Sequence, residues 1–311
     1  MSMTCHCCSG RCRKSGTYRN RNRVVQRYAC DRCGKSFSEE QPLQGMRVDF
    51  DKACQVVHLL CESMGIRAIE RLTGLSRPTV LSILEVAGEK ANAFLEDRLR
   101  CVQAPLVEAD EIHSFVQCKQ QMVEDGDTER GEQYTFLSMA KDSKLIINWL
   151  VGKRTRENAV EFLMGLKRRM VGNFQLTTDN WHIYSGEFGS VWEVFGHWID
   201  YAVETKYFAS PTPVLPRRLI GIRRRPRIGN PDMDLATTCH AERTNLTLRT
   251  FTRRLTRCTL GYSKKLDNLK HAVALFMWYY DFCRIHSAHG KTPAVAAGVA
   301  KKVWTIRELL Y

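Results

Sequence analysis

The spacing of apolar positions divides the chain into helical and extended segments. Over residues 49–64, apolar side chains such as Val56 and Leu60 recur every three or four positions, and this spacing predicts one buried face of a helix. A later segment, 266–282, is apolar on nearly all sides across its central nine residues, 272–280. A helix without a polar face is typical of a protein core, so we predict a buried helix there.

Residues 65–80 follow the first predicted helix and have the pattern of a helix-turn-helix. They predict a short helix, a turn, and a second helix capped by Ser76. Pro78 falls in the first turn of that second helix, where its missing N–H removes no hydrogen bond. The spacing places Arg77 and Thr79 at the N-terminus of a recognition helix and predicts that both contact DNA. A plain helical hairpin is the alternative.

Five shorter segments have the apolar runs or the alternation of β-strands. They are 106–116, 133–139, 145–151, 174–178 and 201–205. Helices are predicted at 157–170 and 240–257, and Asp179 follows the fourth strand directly. Three strands, a helix, a strand ending in an aspartate and further helices form the element order of a ribonuclease-H-like α/β fold.

Length and composition describe a globular protein. The 311 residues are 44% hydrophobic and 26% charged, which is ordinary for a folded chain of roughly two domains. The longest apolar run has nine residues, far below the ~20 that a membrane-spanning helix needs. No apolar stretch follows the first Met, so we expect no secretory signal, a cytoplasmic protein and no membrane partner.

The net charge of +14 is unevenly distributed and indicates a polyanionic partner, most simply nucleic acid. Residues 1–50 carry +6, residues 51–104 are neutral, residues 105–200 carry −5, and residues 201–311 carry +13. An acidic segment in a basic protein suggests carboxylates that hold a cation beside phosphate. The loop 124–132 contains five of that segment's fifteen acids and therefore explains only part of the imbalance.

Thirteen cysteines without a leader suggest a reducing compartment, in which clustered cysteines are metal ligands rather than disulfides. Two pairs, separated by 21 residues, are Cys5-x-x-Cys8 and Cys30-x-x-Cys33. Two such pairs complete a tetrahedral Zn²⁺ site. The basic segment between them suits a zinc ribbon that contacts a phosphate backbone. Cys7 or Cys12 could replace a ligand of the first pair, so the second pair is the firmer assignment.

Three carboxylates are candidates for a second metal site. Asp110 lies in the first strand of the predicted sheet, Asp179 ends the fourth, and Glu242 begins the helix 240–257. Carboxylates from two strands and one helix can bridge two Mg²⁺ ions, which activate a water or a 3′-hydroxyl and stabilise the leaving oxygen at phosphorus. Glu111 is a further acid, but alternation along the strand turns it away from Asp110, so we predict a supporting role for it.

Basic side chains accompany the third carboxylate. Arg249 and Arg253 lie seven and eleven residues after Glu242, on the same helical face, and are predicted to contact DNA. Ahead of that helix, the segment 210–235 holds five of the nine prolines and six arginines in eleven residues, Arg223, Arg224 and Arg225 among them. We predict a DNA-contacting arm, because such a density of arginine needs counter-charge. A solvated linker is the alternative.

These motifs resemble those of transposases of the insertion sequence one family, which are DDE recombinases. The similar blocks are 26–37, 110–116, 178–184, 242–249, 253–257, 262–265, 280–286 and 292–294. The resemblance covers nearly the whole chain. It departs from the family at His113, where Trp is typical, at Asp281, where Asn is usual, and at His289, where an apolar residue is usual.

The resemblance implies a DNA transposase that binds the terminal inverted repeats of an insertion sequence and catalyses metal-dependent strand cleavage and strand transfer. It carries the family's acids over to Asp110, Asp179 and Glu242, with Mg²⁺ or Mn²⁺ as cofactor, and adds Lys264 and Lys265 to the expected DNA contacts. The implied partners are double-stranded DNA, both element ends and target, and further copies of the chain. The implied location is a bacterial or archaeal nucleoid.

Three modules are expected on this interpretation. They are a zinc ribbon at 1–45, a helix-turn-helix module at 46–104, and a ribonuclease-H-like catalytic domain at 105–311 with a basic, proline-rich insertion at about 206–236. Two other functions suit the same architecture. One is a catalytically silent, repurposed DNA-binding repressor, and the other is a metal-dependent nuclease that does not join strands.

Overall fold

The computed structural model describes most of the chain. The described residues are 5, 8, 10–19, 24–38, 43, 46–186, 189–210 and 218–311. The alternative zinc ligand Cys7, and the part of the proline-rich segment at 211–217, lie outside them.

The N-terminal module contains a small antiparallel sheet. Its strands are β1 (Cys12–Arg19), β2 (Val24–Cys30) and β3 (Ser36–Ser38), with β2 in the centre. Arg27 to Ala29 of β2 pair with β3, and the tight turn between these strands carries the second cysteine pair. Gly34 closes that turn with a positive φ of 68°, a conformation that favours glycine.

Three helices follow, as the apolar spacing predicts. They are α1 (Phe50–Cys61), α2 (Ile66–Thr73) and α3 (Arg77–Arg98). Asp49 caps α1, Gly74 ends α2 in the left-handed region, and the hydroxyl of Ser76 accepts from the N–H of Thr79 at the start of α3. The two helices and the turn are therefore where the sequence places them, while DNA contact through them stays a prediction.

A six-stranded mixed sheet forms the centre of the molecule, so the expected α/β class is confirmed. Its strands are β4 (Leu106–Val116), β5 (Gly131–Ala140), β6 (Ile146–Gly152), β7 (Gln175–Asp179), β8 (Asp200–Phe208) and β9 (Leu219–Ile228). The order across the sheet is β6-β5-β4-β7-β8-β9. The first three strands are antiparallel neighbours, β7 and β8 run parallel to β4, and β9 is antiparallel to β8.

Strand β9 lies within the segment that its proline and arginine content suggested was an insertion, and it contains Arg223, Arg224 and Arg225. It extends β8 as an outer strand of the sheet, and Glu204 lies opposite Arg224. Pro226 lies in this strand next to an irregularity in the pairing with β8. Proline is tolerated on outer strands and at bulges because its missing N–H then breaks no ladder. The arginine run hides the strand from sequence analysis because it has no apolar alternation.

The remaining helices cover the sheet and join it to the first three helices. They are α4 (Arg156–Arg169), α5 (His182–Ser185), α6 (Ser190–Phe195), α7 (Cys239–Phe251), α8 (Leu266–Trp278), α9 (Pro293–Ala296) and α10 (Ile306–Leu310). Helix α8 is buried, as expected, and packs on α3. One hydrophobic core runs from α1–α3 through α8 to the sheet.

Helix α7 is shorter than the predicted 240–257. Thr252 adopts an extended conformation, and a single 3-10 turn follows at Arg253–Leu255. Across the described residues, the helices are all too short or too polar to cross a membrane.

Candidate functional site

The candidate site lies where the two central strands separate. Strands β4 and β7 pair in parallel from Leu106 opposite Gln175 to Glu108 opposite Thr177. Asp110 and Asp179 are each two residues beyond the end of this ladder, so they occupy equivalent positions on the two strands. Side chains at such a divergence face an opening that neither backbone closes, which is where parallel sheets commonly bind ligands.

Glu111 joins these two aspartates. One carboxylate oxygen each from Asp110, Glu111 and Asp179 lies within 4.8 Å of the others. Asp110 and Glu111 remain paired with Leu137 and Phe136 of β5, so the alternation that separates their side chains is kept. Because β7 has left β4 here, the carboxylates of both residues nevertheless meet at the opened edge, and Glu111 is closer to the candidate site than the alternation indicated. The Glu111 side chain is only 3% exposed.

Arg154 supplies positive charge beside the acids. Its Nη2 lies 2.9 Å from Oε2 of Glu111 and 3.6 Å from Oδ2 of Asp179. The guanidinium also stacks on the indole of Trp181, 4.4 Å from the ring centroid. The N–H of Trp181 donates to Oδ1 of Asp179 at 3.1 Å, so the strand end and the arginine are held by the same residue.

The pKa values of two acids are raised by this crowding. Burial and the charges of Glu111, Asp179 and Glu242 together raise the pKa of Asp110 to about 7. Burial and the charge of Asp179 likewise raise the pKa of Glu111 to about 7. Three carboxylates at this spacing repel one another, and the arrangement is the one that a cation stabilises.

Helix α7 is fixed against β4 by Glu108, a buried residue that sequence analysis did not single out. Its Oε2 accepts from the backbone N–H groups of His240 and Ala241, at 2.8 and 2.9 Å, and its Oε1 lies 2.7 Å from Nδ1 of His240. The helix has no side-chain cap of its own. A carboxylate at a helix N-terminus satisfies free donors and is favoured by the helix dipole. Glu108 therefore sets where α7 begins.

From that anchor, α7 presents Glu242, Asn245 and Arg249 to the acidic opening. Asn245 donates from Nδ2 to Oδ2 of Asp110 at 2.7 Å. These residues and the strand ends line a cleft of about 960 Å³. Glu242 lines the same cleft as Asp110, but it lies outside the group of three acids that meet within 4.8 Å.

Glu242 is bound instead to Lys206 of β8. The ammonium of Lys206 pairs with Oε1 of Glu242 and lies 3.3 Å from Oε1 of Glu204, and Thr238 donates its hydroxyl to Glu242 at 3.2 Å. Burial alone raises the pKa of Glu204, but hydrogen bonds from Arg224 and Thr238 and the charge of Lys206 bring it below its ordinary value. Arg224, expected to contact DNA, is thus 3.1 Å from Glu204.

The donor set of the cleft suits a hard divalent cation. Asp110, Glu111 and Asp179 offer carboxylate oxygens, which Mg²⁺ and Mn²⁺ prefer to nitrogen or sulfur. Arg154 donates to Oε2 of Glu111, and the buried Tyr184 hydroxyl is the other hydrogen-bonding neighbour of this carboxylate.

The four predicted zinc ligands converge in the N-terminal module. Sγ of Cys5 is 3.6 Å from Sγ of Cys33, and Sγ of Cys8 is 3.5 Å from Sγ of Cys30. Zinc–sulfur bonds of about 2.3 Å in a tetrahedron place sulfurs about 3.8 Å apart, close to these spacings. Cys12 is buried beside them, but its Sγ lies 3.5 Å from the carbonyl oxygen of Gly10 and it is outside the cluster of four.

Backbone N–H groups lower the pKa of Cys30 in the second cysteine pair. The N–H groups of Cys33 and Arg32 donate to Sγ of Cys30 at 3.5 and 3.4 Å. Mainly because of these two bonds, the pKa of Cys30 falls to about 6 despite its burial. A thiolate is the form that binds Zn²⁺, so this turn favours the ligand state of Cys30.

Four of the remaining predicted DNA contacts line one of two cavities, and the others lie outside them. Arg77, Arg253 and Lys264 line one cavity of about 610 Å³ between α2–α3 and the segment after α7. Arg77 also pairs with Glu70 at 3.3 Å, and Lys264 lies over the ring of Tyr262. Arg249 lies in the acidic cleft. Arg223, Arg225 and Lys265 are exposed outside both, and Thr79, also outside both, is half-buried.

Comparisons with known proteins find only weak structural similarity. No protein-family model matches the chain, and no curated protein matches it. The chain is similar to a simian T-cell lymphotropic virus intasome solved in complex with PP2A regulatory subunit B56 gamma. Identity is 13%, coverage is 80% of this chain and 75% of that one, and the TM-score is 0.36.

Two solved transposases are also similar. For a piggyBac transposase synaptic complex with hairpin DNA, identity is 10%, coverage is 84% of this chain and 68% of that one, and the TM-score is 0.37. For the Mos1 mariner paired end complex with Mn, identity is 11%, coverage is 48% and 56%, and the TM-score is 0.20. Such TM-scores do not establish a shared fold, so the assignment below rests on the residues of this chain.

Proposed function

We propose that this protein is a DDE-type DNA transposase of an insertion sequence. It binds the terminal inverted repeats of its element and catalyses metal-dependent cleavage and transfer of DNA strands. The observation that carries the proposal is the position of Asp110 and Asp179, at equivalent points on two parallel strands that separate there, with α7 placing Glu242 and Asn245 in the same cleft.

The strand order supports assignment of the sheet to the ribonuclease-H-like class. Three antiparallel strands, β6-β5-β4, are followed by two parallel ones, and the acids lie on the two central strands. The long helix α4 comes between the antiparallel and the parallel strands, as the element order of that class requires.

Asp110, Asp179 and Glu242 are the residues that we propose hold Mg²⁺ or Mn²⁺, with Glu111 beside them. Bound there, two such ions supply an activated water or 3′-hydroxyl and stabilise the leaving oxygen at phosphorus. Asn245 orients the Asp110 carboxylate through the bond to its Oδ2. Arg154 holds Glu111 and limits the repulsion between it and Asp179. Arg249 supplies positive charge for a DNA phosphate that enters the cleft.

The N-terminal modules serve recognition in this proposal. Cys5, Cys8, Cys30 and Cys33 hold Zn²⁺ and stabilise the small sheet, whose surface is basic. Arg77 and Thr79, at the start of α3, contact the terminal repeats. Arg223, Arg225, Arg253, Lys264 and Lys265 add contacts to double-stranded DNA. Because two element ends are processed together, the working form is an oligomer on DNA, in the cytoplasm of a bacterium or archaeon.

A strand-transfer assay with labelled element ends and Mg²⁺ or Mn²⁺ tests the proposal. The variants are Asp110→Asn, Asp179→Asn and Glu242→Gln, and the matched controls are Asp97→Asn and Glu161→Gln, which remove exposed charges elsewhere. We expect the three site variants to lose cleavage and joining while still binding DNA, and the controls to keep both.

Other outcomes distinguish the alternatives. Full activity in any site variant would reject the assignment of that acid. Cleavage without joining in the wild-type protein would identify a nuclease, and specific binding without either reaction would identify a repressor.

A further inference from the structure

Helix α7 has a second functional face. At 100° per residue, Glu242, Asn245 and Arg249 fall on one side of the helix, while Arg243 and Thr247 fall on the other. The first set faces the acidic cleft, and the second lines a separate cavity of about 400 Å³. The helix therefore stands between two cavities of different charge.

The second cavity is lined by cations. Its other wall is the segment that follows the π-helical turn Tyr279–Cys283, and its charged or titratable lining residues are Lys144, His240, Arg243, Arg284 and His286. No carboxylate lines it among the residues that the structure describes. It contains much of the block 280–286, which the metal site and the recognition modules leave without a role.

Two buried nitrogens in this cavity wall have no partner. Nη1 of Arg284 and Nε2 of His286 are inaccessible to solvent and make no hydrogen bond within the described part of the chain. The Arg284 guanidinium lies 3.8 Å from the ring centroid of Phe251, so it is held in place by an aromatic face instead of a carboxylate. Nη1 of Arg284 is always a donor, whereas Nε2 of the neutral His286 is a donor in only one tautomer. A buried donor without an acceptor is rare in folded proteins, so Nη1 of Arg284 marks a place where a ligand acceptor fits.

The nearby acids act on one side of the cavity. Glu108 accepts from the first turn of α7 and from His240. The charges of Glu108 and Asp142 also act on Lys144, so Lys144 is the cation of the cavity whose charge is partly compensated. Burial and the charges of Arg284 and His289 together lower the pKa of His286 to about 4, although a hydrogen bond with the backbone of Tyr280 acts in the other direction. Arg243 and Arg284 thus face the same cavity without a carboxylate between them.

We propose that this basic cavity, formed by Lys144, Arg243, Arg284 and His286, binds a phosphate group. An arginine fork and a lysine are the usual ligands of phosphate oxygens, and the cavity is large enough to admit the sugar that a DNA phosphate carries. The phosphate belongs either to a DNA backbone or to a small phosphate compound. In the first case, α7 contacts DNA on one face and carries Glu242 on the other. Only the DNA source rests on the proposed transposase function.

Inorganic phosphate is the first probe. The thermal midpoint of the full chain is measured against phosphate concentration, at constant ionic strength and without divalent metal. The test variants are Arg284→Gln and Arg243→Gln, and the matched control is Arg168→Gln, which removes the same charge from an exposed position on α4. Arg243 is exposed, so its replacement keeps the test valid if Arg284→Gln folds poorly.

Duplex DNA is the second probe, and fluorescence anisotropy at several salt concentrations measures its affinity. Loss of one phosphate contact lowers the slope of log affinity against log salt by about 0.9. If the cavity binds DNA, both test variants show that reduced slope and bind several-fold more weakly, whereas Arg168→Gln matches the wild type.

Each outcome decides the inference. A saturable rise in midpoint that the test variants lose, with unchanged DNA binding, supports a small phosphate compound as the ligand. A reduced salt slope supports DNA. If neither measurement separates the test variants from Arg168→Gln, the proposal is wrong. Phosphate binding by a protein that joins no DNA strands would overturn the transposase proposal and leave this one intact.

Discussion

Asp281 provides a test of how burial controls the stability of this fold. It is fully buried after α8, its Oδ1 accepts from the N–H of Ile146 at 3.0 Å, and its Oδ2 has no hydrogen-bond partner in the described structure. Burial holds the pKa of Asp281 well above its ordinary value, although the Ile146 bond and the charge of Arg169 act in the other direction. In the transposase family that the sequence resembles, Asn is usual at this position.

The direction in which stability changes with pH follows from the linkage between protonation and folding. The unfolded chain releases the Asp281 proton near pH 4, whereas the folded chain keeps it to a higher pH. The unfolded state therefore binds fewer protons above about pH 4, and folding stability falls as pH rises until the folded pKa is passed. Across that window this one group lowers the free energy of unfolding by up to about 1.4 kcal/mol per pH unit.

Asp281→Asn removes the titration and keeps an oxygen for the N–H of Ile146. The site provides no acceptor for the N–H groups of the new amide, and leaving them unpaired costs about 1–3 kcal/mol at every pH. We expect the variant to be the less stable protein near pH 4 and to gain relative to wild type at each higher pH. Urea unfolding between about pH 5 and pH 8 measures the difference, with Asp97→Asn as the exposed control. Wild-type and Asp281→Asn curves that stay parallel across this range would refute the buried, protonated carboxyl.

Three further predictions follow from contacts in the other modules. Gly88→Ala places a Cβ 2.5 Å from Cβ of His271, so the contact of α3 with α8 must open, and thermal unfolding should show a loss of about 1–3 kcal/mol. Removal of zinc by a chelator, or Cys30→Ser, should abolish stoichiometric zinc by elemental analysis and weaken binding to element ends, and retained affinity would contradict the recognition role. Glu108→Gln weakens the charge-assisted bonds to the start of α7 by about 1–2 kcal/mol and should lower strand transfer more than DNA binding, whereas exposed Glu132→Gln should change neither.

The helical module was predictable because its signals are local. The cap at Ser76, the proline in the next turn and the glycine after α2 lie within a few residues of the ends that they define. Strand β9 was not predictable, because its pairing with β8 depends on Glu204 and on the sheet and not on its own pattern. Composition suggested a flexible or DNA-bound arm where the structure has an outer strand.

The residues of the candidate site also divide into those that the sequence predicts and those that it does not. Asp110 and Asp179 could be named from strand ends and from resemblance, since each ends or follows a recognisable extended segment. Glu108 and Arg154 could not, because the residues that they contact lie far from them along the chain. The approach of Glu111 to Asp110 and Asp179 could not be predicted either, because their carboxylates meet at an edge that opens only where β7 leaves β4. Sequence pattern gives the face on which a side chain lies, but not where two strands separate.

Part of the positive charge of the chain is paired inside the protein. The C-terminal part carries +13, and two of its cations bind acids of the same part beside the cleft, Lys206 with Glu242 and Arg224 with Glu204. These ion pairs join β8 to α7 and to β9, and they occupy cations that would otherwise be free to contact DNA. Arg243 and Arg284 form no ion pair within the described part of the chain, and they line the cavity on the other side of α7. The net charge therefore overstates the positive charge available to DNA, and the unpaired arginines near α7 lie on both of its faces, since Arg249 lines the acidic cleft.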